Sequence, residues 1–152
     1  MFSAHELIDI AIKLEKNGED FYREAREKVS SSALESLLHF LADEESRHGE
    51  WFEQLKGDAN LSHLASNGLE LDSALLQDLV GDQQFSLGDV DLSKVDNIRV
   101  MIDHAIEFEK DTILFYEMLR SVIDTPEILS ILDKIIGEEK RHIENLEDYQ
   151  SG

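Results

Sequence analysis

Two short runs, Glu44-Glu45-Ser46-Arg47-His48 and Glu138-Glu139-Lys140-Arg141-His142, carry the side chains best suited to chemistry in this sequence. In an α-helix, residues three apart lie on one face, one turn up. Glu45 and His48 can therefore aim a carboxylate and an imidazole at a single point, and so can Glu139 and His142. Carboxylate and imidazole together are metal ligands, and that donor set suits iron or manganese. One such pair among 34 acidic residues would carry little weight. The pair returns at a fixed spacing, because 139 − 45 and 142 − 48 both give 94.

The same shift works upstream. Ala11-Ile12-Lys13-Leu14-Glu15-Lys16, followed by Phe21-Tyr22, returns as Ala105-Ile106-Glu107-Phe108-Glu109-Lys110, followed by Phe115-Tyr116. Sliding residues 1–58 onto 95–152 gives 17 identities in 58 positions, several times what unrelated segments of this composition would share. The chain reads as an internal duplication. Its repeated polar residues include four glutamates and two histidines: Glu15, Glu45, His48, Glu109, Glu139 and His142.

Helices must position them. Periodicity predicts helix 1 from about Ser3, as N-cap with Glu6 in the capping-box position, to Val29. Its stripe is Leu7, Ile8, Ala11, Leu14, Glu15, Gly18, Tyr22 and Ala25, with a carboxylate in the middle. Ser30-Ser31-Ser32 breaks the pattern, with Ser32 and Glu35 as the expected capping box of helix 2, about Ala33–Lys56. Helix 3 is expected from Ser93 or Val95 to Val122. Helix 4 follows from Pro126, a residue suited to the first helical position, to Tyr149, with Ile128, Ile131, Leu132, Ile135, Glu139, His142 and Leu146 inward. Residues 57–92 have no counterpart in either repeat, and Leu71–Val80 is the one short helix expected there. The expectation is a single all-α domain over residues 1–152. Two antiparallel hairpins, 1–56 and 95–149, would be joined by a long crossover over 57–94 between helices 2 and 3, the ferritin-like form of four-helix bundle.

Distance from the turns tests convergence. Glu15 stands 16 residues before Ser31, and Glu45 and His48 stand 14 and 17 after it. Glu109, Glu139 and His142 are spaced alike about Asp124–Thr125, so at ~1.5 Å per residue all six reach one level to within about a turn. Four inward carboxylates would repel and lose hydration, whereas two divalent cations would neutralise them. Tyr22 and Tyr116 each follow the lone Glu by seven residues, which would let their hydroxyls bond site carboxylates and, as the catalytic candidates, order a peroxide or a ligand oxygen; a core aromatic with its hydroxyl satisfied elsewhere is the alternative. Asp9 and Asp103 lie off the stripe. His5, His39, His63 and His104 are unmatched, which favours surface or structural roles, and Trp51 is expected to pack near the bundle end.

Composition sets the exclusions. A net charge of −20 opposes nucleic acid and anionic membrane, since the phosphate contribution would be repulsive. No cysteine means no disulfide and no thiolate metal centre. The first residues lack the basic and apolar regions of a signal peptide, and no apolar run approaches the ~18 residues of a membrane span. A cytoplasmic protein is expected.

The paired motifs Ala-x-x-x-Glu-x-x-x-x-x-Phe-Tyr and Glu-Glu-x-x-His, over about 1–56 and 95–149, resemble the rubrerythrin branch of the ferritin-like superfamily. The resemblance implies a bundle holding two Fe ions, with Mn or Zn as ions the purified protein could carry, and commonly a homodimer. It also implies reduction of hydrogen peroxide or O2, or oxidation of Fe(II), with Glu15, Glu45, His48, Glu109, Glu139 and His142 as metal ligands. Non-catalytic iron or manganese binding is the alternative. The sequence departs from the family pattern in two ways. It has no Cys-ligated rubredoxin domain, so electrons would come from a separate rubredoxin-like donor. It also has no extra Glu on helix 3, where Ile106 and Thr112 flank Glu109; Glu19 is the nearest substitute, and its equivalent is Ile113.

Overall fold

The structure is a computed structural model that describes residues 4–57 and 90–151. It contains helices α1 (Ala4–Lys28), α2 (Ser32–Lys56), α3 (Val95–Val122) and α4 (Pro126–Ser151). The expected Ser3 cap and the expected helix over Leu71–Val80 lie outside the described residues. Among those residues no helix is long and apolar enough to cross a membrane.

The α2 cap is Ser31, one residue before the expected Ser32. Ser31 has the extended backbone a cap needs, its hydroxyl accepts from the Leu34 amide at 3.3 Å, and its carbonyl accepts from the Glu35 amide at 2.9 Å. Three adjacent serines offer identical capping chemistry, so composition could not choose among them. At α4, Pro126 takes the first helical position and the Leu129 amide bonds the Thr125 carbonyl at 3.0 Å. Ile131, expected inward, is 40% exposed. The buried residues of α4 are Ile128, Leu132, Ile135, Ile136, Glu138, Glu139, His142 and Leu146. Ile131 shares their side of the helix but lies nearer its start, where it lines a surface groove with Trp51, Gln54 and Leu55.

Each helix packs against its hairpin partner, and the hairpins meet along α1–α3 and α2–α4. Two apolar clusters fix the directions. One joins Leu7, Ile8 and Leu14 to Phe52 and Leu55, to Phe115 and Leu119, and to Leu132 and Ile135. The other joins Phe21 and Ala25 to Leu34 and Leu38, to Met101 and Ile102, and to Leu146. The start of α1 thus meets the end of α3, and the end of α2 meets the start of α4, so all four neighbouring pairs are antiparallel. It follows that α2 ends in the first cluster while α3 begins in the second, at opposite ends of the bundle. That is the placement a length-spanning crossover requires. Between the clusters lies a buried polar layer.

Candidate metal centre

The structure brings all six acid and imidazole side chains into that layer, each 1% exposed or less. Glu15 comes from α1, Glu45 and His48 from α2, Glu109 from α3, and Glu139 and His142 from α4. Their donor atoms form two overlapping sets. Glu15, Glu45, His48 and Glu139 place one atom each within 4.8 Å of the others, and so do Glu45, Glu109, Glu139 and His142. Glu45 and Glu139 belong to both. Each set therefore has one lone Glu, one His and two shared carboxylates.

The atoms converge without satisfying each other. His48 Nδ1 lies 2.8 Å from Glu139 Oε1, and His142 Nδ1 lies 3.1 Å from Glu45 Oε1. Yet both Nδ1 atoms, both oxygens of Glu45 and of Glu139, and Oε2 of Glu15 and Glu109 have no hydrogen-bond partner among the described residues. An orphaned buried polar atom ordinarily costs about 1–3 kcal/mol, and more if charged. Eight in one layer fit cations bound between them, and the donor set is that of iron or manganese. Two divalent ions would balance four carboxylates.

The remaining oxygens are held by tyrosines. Tyr22 donates to Glu109 Oε1 at 2.6 Å and Tyr116 donates to Glu15 Oε1 at 2.5 Å. Each bonds the lone Glu of the opposite hairpin, so the two bonds cross the bundle. Burial, then the facing carboxylates, pushes both phenols well above their ordinary value of 10.0, which keeps them donors.

Burial pushes the Glu45 and Glu139 carboxyls well above 4.5, with the nearby Glu109 charge adding to it. Burial also pushes Glu109 up, but Glu139, His142 and the Tyr22 hydroxyl outweigh it and hold that group below the usual range. Burial lowers His48, but Glu139 and Glu15 beside it outweigh that, and its value is raised from 6.5 to about 11. Without cations, then, Glu45, Glu139 and His48 hold their protons more tightly folded than unfolded. Carboxyls raised above 4.5 bind more protons folded than unfolded, so their stabilisation is lost as pH rises beyond that value. The raised His48 stabilises fully below 6.5 and loses that contribution up to about 11. Both slopes fall. The melting temperature of chelator-treated protein should therefore drop from about pH 5 to about pH 9, and the drop should be shallower in Glu45→Leu/Glu139→Leu. An equally steep fall in that variant would place the effect on the surface charge.

Glu44 and Glu138, each the first residue of its doubled acid, had no role from sequence. Glu138 Oε1 lies 3.4 Å from Nε2 of His48 and Glu44 Oε1 lies 3.8 Å from Nε2 of His142, so again each faces the other hairpin's ring. Arg47 ties them together, at 2.6 Å from Glu44 and 2.5 Å from Glu138. The repeated Glu-Glu was the available signal. A carboxylate behind a ligating imidazole orients the ring, and its loss typically costs 10–100-fold in metal affinity. Glu138→Ala should weaken Co(II) binding by about that factor, read by competitive titration; unchanged affinity would remove Glu138 from the site. Gly18 was expected only to lie on the stripe. A Cβ there would sit 2.8 Å from Glu45 Oε2 and 2.9 Å from the Phe108 ring, so this glycine makes room for a shared carboxylate.

The other flagged residues stay outside the layer. Asp9 and Asp103 are exposed, bonded to Lys56 at 2.6 Å and Gln150 at 2.8 Å. His39 lies beside Asp43 at the surface, His5 is exposed, the His104 ring is tilted against Phe21 and Trp51 packs edge-on to Phe52. His63 is outside the described residues.

Four antiparallel helices around a Glu/His layer of this kind define a ferritin-like carboxylate bundle. A family model described as Rubrerythrin matches residues 6–148, and the chain belongs to the rubrerythrin family. Among solved structures it is similar to a Thermotoga maritima protein described as a candidate ferritin-like diiron-carboxylate protein. The identity is 24%, the TM-score 0.74, and the match covers 99% of this chain and 95% of that one. That likeness establishes the fold. No curated protein matches the chain.

Proposed function

We propose that this chain is a dinuclear non-haem iron oxidoreductase that reduces hydrogen peroxide, or O2. The observation that carries the reading is the pair of overlapping donor sets sharing Glu45 and Glu139. Two ferrous ions, when bound, would supply the two electrons that, with two protons, turn one peroxide into two waters. Glu15 with His48, and Glu109 with His142, would each hold one end of the pair, while Glu45 and Glu139 would hold both. Tyr22 and Tyr116 keep their protons and fix the lone carboxylates in place. The apolar clusters above and below exclude bulk water, which strengthens every electrostatic contact in the layer. The electrons would come from a donor such as a rubredoxin-like protein.

A second reading, non-catalytic iron or manganese binding, has its own observation. The position three after Glu109 is Thr112, whose hydroxyl is turned back to the Phe108 carbonyl at 2.9 Å. Three after Glu15 is Gly18. Neither can offer a further ligand to a metal that shifts between oxidation states. Mixing anaerobically prepared diferrous protein with peroxide in a stopped-flow instrument separates the readings. Ferric absorbance growing within the first turnover supports the oxidoreductase; slow oxidation with reversible metal release supports the binding protein.

A further inference from the structure

A groove of about 180 Å³ runs between α1 and α2 and is lined at depth by Glu15 and Glu45. Both are buried, and Glu15 Oε2 and the two Glu45 oxygens have no hydrogen-bond partner among the described residues. At its outer edge stand exposed Glu50 and Glu53 and the half-buried Glu19. The groove is open because of Gly49: a Cβ there would reach the Glu15 Cβ at 3.5 Å, so any longer side chain would extend into the space. At ~30 Å³ per water the groove holds several waters.

The duplication supplies an internal control. Shifting by 94 carries Gly49 onto Ile143 and Glu19 onto Ile113. Ile113 is buried in one apolar cluster and Ile143 packs against both. Two of the three acids at the mouth, Glu50 and Glu53, do have counterparts, Glu144 and Glu147, both exposed on α4. One hairpin therefore combines a negative surface with a path inward, while the other has the negative surface and an isoleucine plug.

We propose that the α1/α2 groove is the entry path by which a hydrated divalent cation reaches the buried carboxylates, with Glu50 and Glu53 steering it and Gly49 keeping the way open. This rests on the metal-centre reading and adds its point of access. Lys16 also lines the groove, but its ammonium is paired outside with exposed Asp20 at 3.1 Å, so glutamates dominate the lining. A cleft dominated by one sign of charge raises the local cation concentration and the association rate, by about 10–10³-fold where that sign is unopposed. A neutral oxidant would feel the width of the groove but not its charge.

The test is stopped-flow association of Co(II) with metal-free protein. Glu50→Gln/Glu53→Gln should slow association about 10-fold at low salt, with the difference closing at high salt. Glu144→Gln/Glu147→Gln, the same change of net charge on the plugged hairpin, should slow it far less. Gly49→Ile should slow uptake more than Gly49→Ala, with final stoichiometry unchanged in both. Equal effects of the two charge variants would overturn the proposal, and this comparison stands even if Gly49→Ile does not fold. A wild-type protein that takes up no Co(II) at equilibrium overturns the metal-centre reading and the proposal together.

Discussion

Replacing both shared carboxylates, in Glu45→Leu/Glu139→Leu, is expected to stabilise the metal-free protein and abolish its response to divalent ions. Substituting buried charged groups with apolar side chains of similar volume is commonly neutral or stabilising, by about 1–4 kcal/mol. The local geometry favours the stabilising end. Both glutamates are fully buried, and none of their four oxygens is hydrogen-bonded among the described residues. Each imidazole keeps a facing carboxylate: His48 Nδ1 stays 3.5 Å from Glu15, and His142 Nδ1 stays 3.6 Å from Glu109. Thermal unfolding in chelator should show a rise of about 2–16 °C, at ~2–4 °C per kcal/mol for a chain of this size. A lower melting temperature would mean that the shared carboxylates hold the apoprotein together, contrary to a layer built for cations.

The second large effect is stabilisation by metal. A ligand that binds only the folded state adds RT ln(1 + [L]/Kd), about 4.1 kcal/mol at a thousand times Kd. Each ion bound that tightly should raise the melting temperature by about 8–16 °C. Fe(II) under anaerobic conditions and Mn(II) in air are the ions to compare, with reversal by chelator. The shift should vanish in Glu45→Leu/Glu139→Leu. A shift of equal size in that variant would put the ions on the acidic surface; no shift in the wild type would leave eight orphaned atoms without a partner.

Much of this layer was legible in the residues themselves. Glu45 with His48 and Glu139 with His142 needed only the three-residue helical spacing, and the 94-residue repeat separated them from a background rich in acid. The level of all six followed from counting back to the turns. Contacts between hairpins were not legible, because they depend on how two surfaces meet. Spacing put each tyrosine two turns from its own Glu, whereas Tyr22 bonds Glu109 and Tyr116 bonds Glu15. The crossed Glu138–His48 and Glu44–His142 approaches were hidden for the same reason. Gly18 and Gly49 look alike as glycines in helices. Only their neighbours distinguish the one that admits Phe108 and Glu45 from the one that leaves a groove. Ile131 lies on the inward face, as its spacing says, and its exposure comes from the surface groove that it lines with Trp51, Gln54 and Leu55, which spacing cannot show.

Anomalous diffraction from crystals of iron- or manganese-loaded protein, collected at the metal edge, tests the central claim most directly. Two peaks per chain are expected, each beside one histidine Nδ1 and one lone glutamate, with Glu45 and Glu139 reaching both. Peaks confined to surface carboxylates, or a single peak touching only one of the two sets, would contradict it.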